Sequence, residues 1–135
     1  MMTMPAKKDL DELGLDECYE LLQSRSLGRL AFIVEGKPRI LPLNYGIHQG
    51  SVVFRTGYGN LLDMVHQKDV AFEVDDGDPA THTGWSVIVH GVAEEIWRPE
   101  ELDIARQLPL RPWAPGDRDH YVRILSTQIT GRRVR

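Results

Sequence analysis

The stretch SVVFRTGYGNLLDMV, Ser51 to Val65, reads as a strand, a tight glycine turn and then a helix. Val52, Val53 and Phe54 are β-formers, and Val52/Phe54 alternate with Val53/Arg55 across the two faces of a strand. Gly57 and Gly59 break the run, since they adopt backbone angles that a side chain forbids. Asn60 suits the cap of a helix whose apolar stripe is Leu61, Leu62 and Val65. The pattern gathers Arg55, the Thr56 hydroxyl and backbone N–H groups at one helix start, chemistry suited to an anion such as phosphate. An ordinary strand-to-helix turn has the same pattern, so the stretch alone leaves both readings open.

Outward from this stretch, the strand pattern repeats. Leu27 to Val34 is apolar and β-branched and ends at Glu35-Gly36, where a hairpin turn returns the chain as Arg39 to Tyr45. Pro42 cannot donate to a ladder, so that return strand belongs at an edge or carries a bulge. Further strands are expected over Val70–Asp75, Gly84–Trp97 and His120–Thr130, with a bulge or bend at Gly91. Asp76-Gly77-Asp78-Pro79 is strong turn chemistry. Helices are expected from an Asp16 cap to about Ser24, over Asn60–Gln67, and over Glu100–Leu108 behind Pro99. Residues 1–14 read as a flexible polar arm and 15–135 as a single domain. Six strands with hairpins and no βαβ repeat predict a mainly β fold, an antiparallel sheet that curves and closes.

Composition narrows the function. The 135 residues are 41% hydrophobic and 27% charged, ordinary for a globular domain. A net charge of −4 and a pI near 5.7 argue against a nucleic-acid binder, despite the basic end Gly131–Arg135. The single cysteine, Cys18, fits a reducing cytoplasm and a buried structural thiol. No signal peptide and no membrane span are expected. The five histidines show no ligand spacing, so no metal site is expected. Glu94-Glu95 and Asp75-Asp76 are expected to be solvated. Trp85 and Trp113, each near glycines, are expected as core or interface anchors, or as walls for an aromatic cofactor beside Arg55. No general base or nucleophile is evident.

Several motifs in order resemble the pyridoxamine 5′-phosphate oxidase-like family of flavin-binding split barrels, within the wider group of flavin/deazaflavin oxidoreductases. They are Leu27-Gly28-Arg29-Leu30-Ala31, Pro38 through Asn44-Tyr45, Phe54-Arg55-Thr56-Gly57, and Ala71-Phe72-Glu73-Val74-Asp75. Thr83-Gly84-Trp85-Ser86-Val87 with Gly91, Pro112-Trp113-Ala114-Pro115-Gly116 and Ile129-Thr130-Gly131-Arg132-Arg133 complete the set.

The resemblance implies a six-stranded Greek-key split barrel and a homodimer whose interface holds the cofactor. It implies FMN, with coenzyme F420 or no cofactor as alternatives. The activity implied is an oxidoreductase on a small molecule, the alternative being a non-catalytic ligand- or cofactor-binding module. Arg39, Leu43 and Asn44 would flank the flavin ring. Arg55, Thr56, Gly57 and Asn60 would meet the phosphate. Trp85, Ser86, Trp113 and Arg132 would complete the groove, with Trp113 and Arg132 from the partner chain. Leu61 and Leu62 depart from this pattern. They stand where flavin-binding members carry Lys or Arg, and Leu61 is expected to face the groove.

Overall fold

The apolar runs pair so that one side of each strand turns inward, giving an antiparallel sheet curled into a half-barrel. The computed structural model describes residues 10–57, 60–110 and 120–135. Its elements are β1 (Leu10–Glu12), α1 (Leu15–Gln23), β2 (Leu27–Val34), β3 (Lys37–Asn44), β4 (Gly46–His48) and β5 (Ser51–Thr56). They continue with α2 (Asn60–Val65), β6 (Asp69–Asp78), β7 (Thr83–Ile96), α3 (Pro99–Ala105) and β8 (His120–Val134). The strand order is β3-β2-β6-β7-β8-β5-β4, with β1 paired to the end of β8.

The six long strands are the six expected from the sequence. β1 and β4 are added to them, and at three residues each they are too short for alternation to reveal. Leu10–Glu12 pairs with Val134–Arg132, so part of the expected arm is ordered and the basic end belongs to β8. β6 extends through Asp78, which moves the turn to the residues after it. Asp16 lies in the first turn of α1, whose cap is Gly14. Pro42 is accommodated as expected, because β3 is an edge strand paired to β2 alone among the described strands.

The inner face carries the main core: Leu30 and Phe32 of β2, Phe54 of β5, Phe72 and Val74 of β6, Val87 and Val89 of β7, and Ile124 of β8. Helix α1 adds Cys18 and Leu22, both fully buried, and burial followed by the nearby Glu17 charge pushes the Cys18 thiol up. A smaller core lies on the outer face of β5 and β8, where α3 and the chain after it cover Val53, Ile96 and Tyr121 with Ala105 and Leu110.

The curl is set at Tyr45, between β3 and β4. It is 4% exposed, its N–H donates to Ser26 O at 3.0 Å, and its hydroxyl donates to Leu22 O. Its ring meets Phe72 edge-on at 5.0 Å. Burial raises the phenol to about 12 against a smaller lowering by Arg25, so it stays a neutral donor across the ordinary pH range.

β7 bends at the expected place. Its register with β8 shifts between His90 and Gly91. A Cβ at Gly91 would stand 2.2 Å from Leu125 O, so only glycine allows the two backbones to approach there. Gly91→Ala should therefore destabilise the fold by about 1–3 kcal/mol, read as a lower urea midpoint. An unchanged midpoint would show that the bend adjusts freely.

Candidate functional site

The residues expected around a ligand fall into two groups. The first is the corner where β3 passes into β4 and β5. Gly46 pairs with Val53, so Leu43 and Asn44, just before it, run alongside the residues that follow Val53. Leu43 packs on the main core. Thr56 and Arg55 leave β5 on opposite faces. Thr56 points inward and is 6% exposed. Arg55 lies on the outer side, over the Tyr121 ring at 5.5 Å, and donates to Leu110 O at 3.3 Å. Gly57 is buried behind Thr56, and Asn60 opens α2. Arg39 is exposed further up β3, on the order of 15 Å from Asn44 at ~3.3 Å per residue. The structure therefore brings Leu43, Asn44, Thr56 and Gly57 together, turns Arg55 to the other face of β5 and leaves Arg39 apart.

Leu61 and Leu62 are both half-buried and both pack against the main core. This corrects the expectation that Leu61 faces a groove. The six residues of α2 close the barrel end, and both leucines are used for that.

The second group is a groove of about 540 Å³ on the far part of β6, β7 and β8. Trp85, Ser86 and Arg132 all line it, with Ser86 directly opposite Arg132 in the sheet. Trp85 sits in a strand rather than a loop, with its ring against the core and the Arg25 guanidinium 5.5 Å from its centre. Asp75 and Asp76 line the same groove and are matched by arginines. Arg25 pairs with Asp76, and this hydrogen bond first, then the Gly77 N–H, holds that carboxyl below its usual range. Arg29 reaches Glu73 at 3.2 Å and Asp75 at 3.4 Å. Trp113 lies outside the described residues.

The carboxylates expected to be solvated are paired. Glu94 and Glu95, adjacent on β7, point to opposite faces. Glu94 accepts from Arg123 Nε at 2.7 Å on the outer side. Glu95 meets His120 Nδ1 at 2.5 Å beside Thr56, to which His120 is the strand neighbour. His66 Nδ1 accepts the Glu95 N–H at 3.2 Å, which places its own proton on Nε2. The only signal of these pairs in the sequence was spacing: Glu73 and Asp75, two apart on a strand, had to share a face. No group of three or more His, Cys, Asp or Glu placed to hold a metal ion occurs among the described residues. No helix among them is long and apolar enough to cross a membrane.

Residues 15–133 match the family described as Pyridoxamine 5′-phosphate oxidase, and the chain belongs to it. It is 35% identical over 133 residues to the uncharacterized protein Rv0080 of Mycobacterium tuberculosis, covering 94% of this chain and 87% of that one. Among solved structures it is similar to an FAD binding protein from Mycobacterium smegmatis, with 40% identity, TM-score 0.79, and 92% and 97% of the two chains covered. An FAD-binding protein from Mesorhizobium loti shares the fold at 24% identity and TM-score 0.77, over 93% of this chain and 99% of that one.

Two outcomes test this geometry. Leu61→Lys should lose roughly 1 kcal/mol of stability, about half the value of a fully buried leucine, seen as a lower melting temperature. A variant that melts like the parent would return Leu61 to the groove. Glu73 is raised to about 7 by burial first and then by the proton shared with Asp75, against a smaller lowering by Arg29. The folded state therefore holds a proton that the unfolded state releases near its ordinary value of 4.5. Stability from this group is present at low pH and is lost as pH rises from about 4.5 through about 7. Glu73→Gln should flatten that decline in a melting series across the window; an unaltered slope would assign it to another group.

Proposed function

We propose that this chain is one subunit of a homodimeric, flavin-dependent oxidoreductase acting on a small organic molecule. The observation that carries the cofactor class is its 40% identity, over 92% of its length, to a protein described as FAD-binding. The division of the site supports the dimer. Thr56 pairs with His120 at the start of β8, and Arg132 lies near its other end. That is on the order of 40 Å of contour along the strand at ~3.3 Å per residue, a spread that a second chain would help to gather round one ligand. A two-fold pair of chains brings the corner of one protomer against the groove of its partner.

The donor set fits a flavin. Ser86 and Arg132 offer a hydroxyl and a guanidinium to the polar chain and a phosphate, and Trp85 walls the groove. From the other protomer, Leu43 and Asn44 would border the ring, while Thr56, Gly57 and Asn60 would meet the polar end; Arg55, on the outer face, and Arg39, further up β3, lie outside that set. When bound, the flavin supplies the hydride or electron transfer itself. The chain's part is to orient it, exclude water and balance its charge. Because Leu61 and Leu62 serve the core, a terminal phosphate lacks a lysine there. A missing charge-assisted contact costs about 1.5–3 kcal/mol, which weighs against FMN, whose phosphate is terminal, relative to FAD.

The test is a titration of purified protein with FAD, FMN and F420, followed by visible absorption and fluorescence. FAD should bind tightest, and Arg132→Ala should weaken it by about ten- to hundredfold without loss of fold, since Arg132 is exposed. Rejection of all three would overturn the reading. Flavin that binds but is never reduced by any electron donor would leave a cofactor-binding module without turnover. A light-scattering mass of 15.4 kDa, one chain, would remove the two-chain site.

A further inference from the structure

A second cavity, away from the groove of Ser86 and Arg132, lies under α3 on the outer face of β5 and β8. Its volume is about 420 Å³, within the range of small-molecule sites. The floor is Val53 and Ile96, 2% and 5% exposed, which are walls of the smaller core. At the mouth stand Ile104 and Leu125, 40% and 44% exposed, large apolar side chains that α3 leaves partly uncovered. Nothing in the flavin reading uses this space.

We infer that this cavity binds a small aromatic molecule that is neutral or positively charged. Three features define that class. The apolar floor and mouth favour a flat hydrocarbon body. Arg123 lines the cavity with its guanidinium held by Glu94 at 2.7 Å and Glu101 at 2.9 Å. A guanidinium pinned at its edge nitrogens presents a planar face on which an aromatic ring stacks. Its charge is already matched twice, so an anionic ligand gains nothing from it and meets the Glu100 carboxylate on the rim. A cationic head meets that carboxylate favourably. The Ser51 hydroxyl, which also lines the cavity, is a donor and acceptor for a ring substituent.

The test uses indole, tryptamine and indole-3-acetate, one ring system with neutral, cationic and anionic forms. Each is titrated into the full chain and followed by methyl NMR at Val53, Ile96, Ile104 and Leu108. Indole and tryptamine should give saturable shifts at these methyls. Indole-3-acetate should bind weaker than tryptamine by about tenfold or more. Leu125→Trp fills the mouth from an exposed position and should abolish the shifts while leaving the melting temperature and the flavin titration unchanged. Glu100→Gln should reduce the preference for tryptamine over indole and leave indole itself unaffected. The inference is overturned by the absence of saturable shifts with both indole and tryptamine. Equal binding of indole-3-acetate overturns it too, as does undiminished binding in folded Leu125→Trp. Because the flavin titration is a separate readout, failure here leaves the proposed cofactor site standing, and the reverse.

Discussion

The fold depends on one residue at a corner. β3 ends one side of the sheet and β4 ends the other, yet only Tyr45 separates them in the chain. Successive Cα atoms are ~3.8 Å apart, so the two edges of the sheet are held together covalently and the sheet must curl. Tyr45 makes that corner stable as well as necessary. Its phenol is removed from water but bonded to Leu22 O, and its N–H is bonded to Ser26 O. A buried polar group satisfied in this way costs little, whereas an unsatisfied one is expensive. The same corner ties α1 to the barrel, since Leu22 is both its partner and a core residue. It also carries Leu43 and Asn44 to the side of β5, which forms one half of the candidate site.

The other half lies where β6, β7 and the far part of β8 meet. A strand of fifteen residues pairs with β5 at its start, with β1 at its end and with β7 along nearly all of it. That makes β8 the common wall of both half-sites. The two places differ in electrostatic character. The groove of Ser86 and Arg132 is close to neutral, because Arg25 and Arg29 match Asp76 and Asp75. The corner carries Arg55 on one face and the His120–Glu95 pair on the other.

Much of this was legible in the sequence where burial is one-sided. The six long strands alternate visibly, Pro42 marked the edge and Gly91 marked the bend, because each is a local steric demand that any register must meet. What remained hidden depends on register and on which face is inside. Val52 and Val53 are both apolar because β5 is covered on both faces, so the pattern did not say which way Arg55 turns. Glu94 and Glu95 looked like a solvated pair, yet strand geometry sends them apart, and their partners Arg123 and His120 come from a distant strand. Leu61 and Leu62 were visible as a departure from the family's pattern. Their packing was not, since it depends on α2 lying across the open end of the barrel against β2 and β7. Trp113 lies outside the described residues, so the structure adds nothing to its reading.

The two leucines connect packing to ligand chemistry. A lysine in their place would bring a cation to the strand-to-helix turn but would leave the barrel end without an apolar cover. This chain keeps the cover, and apart from Arg132 the arginines near the candidate site have other work. Arg55 is engaged with Leu110 O and the Tyr121 ring, and Arg25 and Arg29 with carboxylates. Interactions of this kind hold a guanidinium in place before a ligand arrives, which lowers the ordering cost of binding but also lowers the field offered to an anion. A ligand recognised here would therefore gain more from shape, ring burial and directed hydrogen bonds than from net charge.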